Sequence, residues 1–156
     1  MGEWEKFATR LQSARQSAHV AQEQSAKRQR KLDTEAKQHW LGLKNVLAEA
    51  CKEINATNGD ALLTLSQREA HFEIALSMPG EKQLRRVCLQ YDYMTKRVTV
   101  DQEGCVSGSN GGQPFVTNAY TVVLNENDNF IWREESAERD IPNQVLAEQL
   151  LSALIP

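Results

Sequence analysis

Two apolar stripes of helical spacing occupy the first third of the chain and then give way to strict alternation. Trp4, Phe7, Leu11, Ala14, Ala18, Ala21 and Ser25 follow one another in steps of three and four, the spacing that keeps one side of a helix turned toward a partner. A second run, Ala36, Trp40, Leu43, Leu47, Ala50 and Ile54, has the same step in a slightly slipped phase. Between Glu3 and Ile54 there is no proline, and Gly42 is the only glycine. Gln, Ala, Lys, Arg and Glu dominate, and these lose little side-chain entropy in a helix.

The linking segment Gln22–Lys31 (QEQSAKRQRK) has almost nothing to bury, and no Gly, Pro or Asn-rich turn marks a break in it. A single helix is therefore expected, about 80 Å long at a rise of about 1.5 Å per residue. A compact body built from the rest has a radius of gyration of only about 13 Å. Residues 1–31 are accordingly expected to form a projecting or self-associating helical segment, with one domain over residues 32–156.

Asn55 to Asp60 ends the helical pattern with the Asn and Gly that left-handed turns need. Period-2 segments follow. Ala61–Gln67, Ala70–Ser77, Leu84–Tyr93, Arg97–Asp101, Phe115–Leu124 and Phe130–Arg133 each read as strands with one face in and one face out. Turns are expected at Met78–Glu81, Met94–Lys96 and Asn125–Asn129, and a glycine-rich loop at Gly104–Pro114. Asp140 and Pro142 suit the cap and first turn of a closing helix whose buried stripe reads Val145, Leu146, Leu150, Ala153 and Leu154. The fold class is α+β: a long N-terminal helix, an antiparallel meander of five to seven strands, and a C-terminal amphipathic helix packed on the sheet. By fold-level analogy alone, a small barrel of the pleckstrin-homology type is the alternative.

Composition adds a charge asymmetry. Residues 1–58 hold ten Lys or Arg against seven Asp or Glu, a balance of +3, while residues 59–156 hold eight against fourteen, a balance of −6. The net charge of −3 argues against a dedicated nucleic-acid binder. Cys51, Cys88 and Cys105 are odd in number and show no paired spacing, which fits a reducing, cytoplasmic setting. No apolar run reaches membrane-span length, and the start is charged where a signal peptide would be apolar.

No motif carries chemistry. Gly111 and Gly112 lead to Gln113-Pro114 and a strand, where a phosphate loop needs Lys-Ser/Thr and a helix. Cys105 has neither a cation nor a helix N-terminus beside it to activate the thiol. His19, His39 and His71 form no metal-binding pair, and His71 with Glu73 reads as a solvated strand face. Glu134, Glu135, Glu138 and Asp140 read as a polar linker into the last helix. Lys27 to Lys31 reads as a solvated helix face. No catalytic residue, metal or cofactor is expected, and the chain is read as non-enzymatic.

Two surfaces are left. The stripe Trp4, Phe7, Leu11, Ala14 and Ala18 is the candidate partner-binding face, for a second copy or a helical protein partner. Lys82, Arg85, Arg86, Lys96 and Arg97 form a candidate basic patch near strand ends, which a lipid headgroup or other small ligand would use. A protein–protein interaction module is the first expectation, and a small ligand-binding α+β domain the alternative.

Overall fold

A computed structural model describes residues 2–59, 62–77, 85–104 and 115–155. The chain forms two compact units, residues 1–35 and 36–156. Helix α1 is Glu3–Asn58, and it is helical through Gln22–Lys31 as the unbroken composition predicts. Gly59 takes φ +73° directly after it, the left-handed backbone that glycine adopts most cheaply at a helix end.

The second unit holds a seven-stranded sheet followed by a helix. Its strands are β1 (Leu63–Arg68), β2 (His71–Leu76), β3 (Arg85–Asp92), β4 (Arg97–Glu103), β5 (Phe115–Leu124), β6 (Phe130–Glu134) and β7 (Arg139–Ile141). All pair antiparallel with their sequence neighbours, in the order β1 to β7. The sheet is not closed: β1 and β7 are its two ends. The barrel alternative is thereby corrected. Helices cover the apolar face, so the sheet need not curl onto itself to bury it.

Period 2 decides which side chains enter the core. Phe72, Ile74 and Leu76 on β2, Val87, Leu89 and Tyr91 on β3, Val98 and Val100 on β4, Tyr120, Val122 and Leu124 on β5, and Trp132 on β6 are all buried. Against them lies the last part of α1, with Ala36, Trp40, Leu43, Leu47 and Cys51 buried, and helix α2 (Asn143–Leu154), with Leu146, Ala147, Leu150, Leu151 and Leu154 buried. Trp40 stacks on Tyr91 with ring centroids 5.3 Å apart. Each large side chain so buried contributes roughly 1.5–3 kcal/mol.

Four expectations need correction. The second stripe of α1 ends on Cys51, while Ala50 and Ile54 are only half-buried. A straight helix turns once per 3.6 residues, so its buried line drifts off a strict three-four step. Val145 is exposed and Ala153 only half-buried, and Ala147 and Leu151 take the inward places on α2. Asp140 is no helix cap. It lies in β7, opposite Arg133 on β6, and pairs with that guanidinium at 3.0 Å. Pro142 is the cap residue of α2, without a side-chain cap bond. The acids read as a linker instead build a hairpin: Glu134 pairs with Arg139 at 3.0 Å, and Glu135 with Arg97 at 2.6 Å.

Polar side chains fix how the layers meet. Asn55 Nδ2 donates to the Leu63 carbonyl at 2.9 Å, and its Oδ1 accepts from the Leu63 N–H at 3.0 Å, so the amide imitates a strand neighbour. Asn143 Oδ1 accepts from Trp132 Nε1 at 2.6 Å, while its Nδ2 donates to the His39 carbonyl at 3.3 Å. Gly42 makes room for this: a Cβ there would stand 3.0 Å from Asn143 Nδ2.

Asn143→Ala would leave the buried Trp132 N–H without an acceptor, and should cost about 1–3 kcal/mol. The expected readout is a lower urea midpoint at unchanged slope; an unchanged midpoint would mean the bond holds nothing.

The His39 ring packs on Trp132 and Phe130, with centroids 5.2 and 6.1 Å away, and its buried Nε2 has no hydrogen-bond partner. Burial pushes its pKa from the usual 6.5 down to about 4. The unfolded chain therefore takes up this proton at higher pH than the folded one, and stability falls as pH drops from 6.5 towards about 4. After allowance for the water that still reaches the ring, the loss is about 2 kcal/mol. Urea unfolding at neutral and acid pH should show this drop in the parent and a smaller one in His39→Gln. Equal drops in the two proteins would refute it.

Candidate interaction surfaces

The first unit, by itself, is a helix with its side chains in water. Every residue from Gly2 to Lys27 is exposed. At about 100° per residue, positions 4, 7, 11, 14, 18, 21 and 25 share one sector of the helix surface roughly 100° wide. Within it Trp4 is 81 %, Leu11 63 % and Phe7 56 % exposed. The Trp4 and Phe7 rings lie 5.8 Å apart and tilted, one helical turn from each other. Ala14 and Ala18 continue the same line, also exposed. Val20 is exposed as well but falls on the opposite side of the helix. Local pairs support the helix without covering the stripe: His19 with Glu23 at 3.1 Å, Thr9 with the Glu5 carbonyl at 2.9 Å, and Gln29 with Asp33 at 3.1 Å. Each joins residues four apart, where a helix brings side chains together.

The second unit turns one sheet face to solvent. Register places His71, Gln90, Thr99 and Ala119 in one row across it, and Glu73, Cys88, Asp101 and Thr117 in the next. Glu73 pairs with Arg86 at 3.1 Å, Thr117 donates to Asp101 at 2.9 Å, and His71 Nδ1 lies 3.1 Å from Gln90 Oε1. The face carries a shallow depression of about 460 Å³ lined by Ser66, Arg68, Ala70, His71, Glu73 and Gln90. Cys88 Sγ sits 3.8 and 3.9 Å from the two ring nitrogens of His71. This is not an activated pair: burial, with the Glu73 and Asp101 carboxylates, pushes the Cys88 thiol above its usual range. Cys51 is pushed up to about 11 by burial alone. Among the described residues no three His, Cys, Asp or Glu side chains gather as a metal ion would need.

The candidate basic patch divides. Arg86 lies opposite Glu103 and Arg97 opposite Asp92, so Arg85 and Arg86 stand at one end of the β3–β4 hairpin and Lys96 and Arg97 at the other, roughly 20 Å apart at about 3.3 Å per residue. Arg97 is held by Glu135, and Arg86 by Glu73. Lys82 lies outside the described residues, as do Cys105 and most of the glycine-rich loop.

One cluster has no counterpart in the sequence reading. The Glu69 carbonyl, in the β1–β2 turn, accepts from Trp40 Nε1 at 2.9 Å, Lys44 Nζ at 3.0 Å and Tyr93 Oη at 3.2 Å. Lys44 also donates to the Arg68 carbonyl at 3.2 Å, and is almost wholly buried in doing so. Lys37 closes the outside through an ion pair with the Glu69 carboxylate at 2.9 Å. A backbone acceptor has no signature among residue types.

The chain matches no family model, no curated protein and no solved structure. Among the described residues no helix is long and apolar enough to cross a membrane.

The neutral Cys88 thiol has a measurable consequence. At neutral pH it should react with iodoacetamide several-fold more slowly than free cysteine, because the thiolate is the nucleophile. Peptide mass spectrometry of timed samples gives the rate, and a rate at or above that of free cysteine would contradict the electrostatics described.

Proposed function

We propose that the protein is a non-enzymatic protein–protein interaction module that self-associates through its N-terminal helix. The observation that carries this reading is the exposure of Trp4, Phe7 and Leu11 on one narrow sector of α1. Leaving such side chains in water forgoes roughly 1.5–3 kcal/mol apiece, which association recovers. The separated arginines and the neutral Cys88 thiol make the sheet face a weaker candidate for ligand or catalytic work. A reducing, cytoplasmic setting suits an odd set of cysteines of which Cys51 is buried and unpaired.

Light scattering across the micromolar range tests the reading. The expected result is a mass that rises with concentration toward a multiple of the 17.6 kDa chain. In a Phe7→Glu, Leu11→Glu double variant, association should weaken at least about a hundredfold, since the lost burial exceeds about 2.8 kcal/mol. Far-ultraviolet circular dichroism of the variant should keep the sheet signal. A parent that stays monomeric to high micromolar concentration overturns the reading.

A further inference from the structure

The stripe is graded. Its large side chains, Trp4, Phe7 and Leu11, fill the first half, and Ala14, Ala18 and Ala21 fill the second. We infer that the partner is a second copy of this helix running antiparallel, in the register that sets Trp4 against Ala21 of the second copy, Phe7 against its Ala18 and Leu11 against its Ala14. This rests on the self-association reading and adds the partner's direction to it.

Size decides first. Helix axes pack about 8–10 Å apart, at a distance set by the side chains between them. Parallel copies would stack Trp4 on Trp4 and Phe7 on Phe7 at one end, and alanine on alanine along the rest. No single spacing serves both. In the antiparallel register each of the six layers holds one large side chain and one alanine, so one axial distance fits from end to end.

Charge decides the same way. With Trp4 and Phe7 as the a and d positions of a heptad, Arg10 falls at g and Arg15 at the following e. Parallel pairing sets g against that e of the partner helix, so Arg10 would meet Arg15 twice. Antiparallel pairing sets g against g and e against e. Arg10 then lies beside Ser17, Arg15 beside Ala8 and Glu3 beside Gln24, with no like charges facing.

The buried area is adequate. An aromatic side chain covers about 150–250 Å², so the still-exposed parts of two Trp and two Phe supply roughly 400–700 Å² before Leu11 and the alanines are added. A specific interface needs about 1,000 Å².

Disulfide trapping in the full chain reads the direction. Phe7→Cys and Ala18→Cys proteins are oxidised alone and as a mixture, and linked peptides are identified by mass spectrometry against the unsubstituted parent. Light scattering of the parent runs beside them. The expected result is a 7–18 link in the mixture only, because in the antiparallel register two Ala18 sites stand about 16 Å apart. An 18–18 link in Ala18→Cys alone overturns the antiparallel register and leaves self-association standing. A monomeric parent with no link in any sample overturns both. As a second readout, Arg15→Glu should leave the association constant within about twofold, the scale of an exposed charge without an ionic partner. A tightening of tenfold or more would reveal that Arg10 of one parallel helix pairs with the new carboxylate on the other, and would overturn the register.

Discussion

The Glu69 carbonyl receives three side-chain donors, two from α1 and one from Tyr93 beyond the end of β3. A carbonyl oxygen has two lone pairs, so the three share it, and each donor keeps the others in place. Trp40 is thereby fixed at one height on the sheet, with its ring on Tyr91. The remaining inward residues of the helix follow from that height: Leu43, Leu47 and Cys51 one turn after another, and Asn55 at the level of Leu63. Lys44 is carried into the core by the same geometry. It is tolerable there because two carbonyls accept from it and the Trp40 ring lies 5.4 Å from its ammonium.

The sheet then has one covered face and one free one, and the difference sets its chemistry. The inward strand positions that are buried are apolar, and polar residues on that face such as Gln67, Gln102 and Glu134 stand towards its margins. Outward positions pair charge with charge across strands: Glu73 with Arg86, Arg97 with Glu135, Arg133 with Asp140. Such pairs are exposed and individually weak, but they fix register where alternation alone would tolerate a slip of two residues. The short β7 strand belongs to this logic. It is three residues long, and its ion pairs with β6 hold the last edge in place while Ile141 is buried beneath it.

Much of this was legible in the residues, and the parts that were not share a cause. The helix, six of the strands and the closing helix all follow from period, because burial selects apolar residues at fixed steps. β7 escaped, since three residues carry no measurable alternation and Asp140-Ile-Pro resembles a helix start. Docking contacts escaped too. Asn143 binds a tryptophan N–H and a helix carbonyl 104 residues earlier in the chain, and Glu69 works through its backbone oxygen. For the surfaces, the spacing of Trp4, Phe7 and Leu11 already placed them on one side of a helix. Whether Arg85, Arg86, Lys96 and Arg97 met was undecidable without strand register, which sets the two pairs at opposite hairpin ends.

One helix thus carries two stripes under different rules. The stripe from Ala36 to Cys51 keeps its bulk in the middle, where Trp40, Leu43 and Leu47 meet the sheet, and is small at both ends. The stripe from Trp4 to Ala21 runs from the largest side chain to the smallest along its length. Helix propensity does not account for that order, because alanine is favoured at every position and tryptophan at none. Nor does contact with a flat surface, which would call for even size. A gradient is what two identical graded faces need when they meet head to tail. Each supplies bulk where the other supplies room.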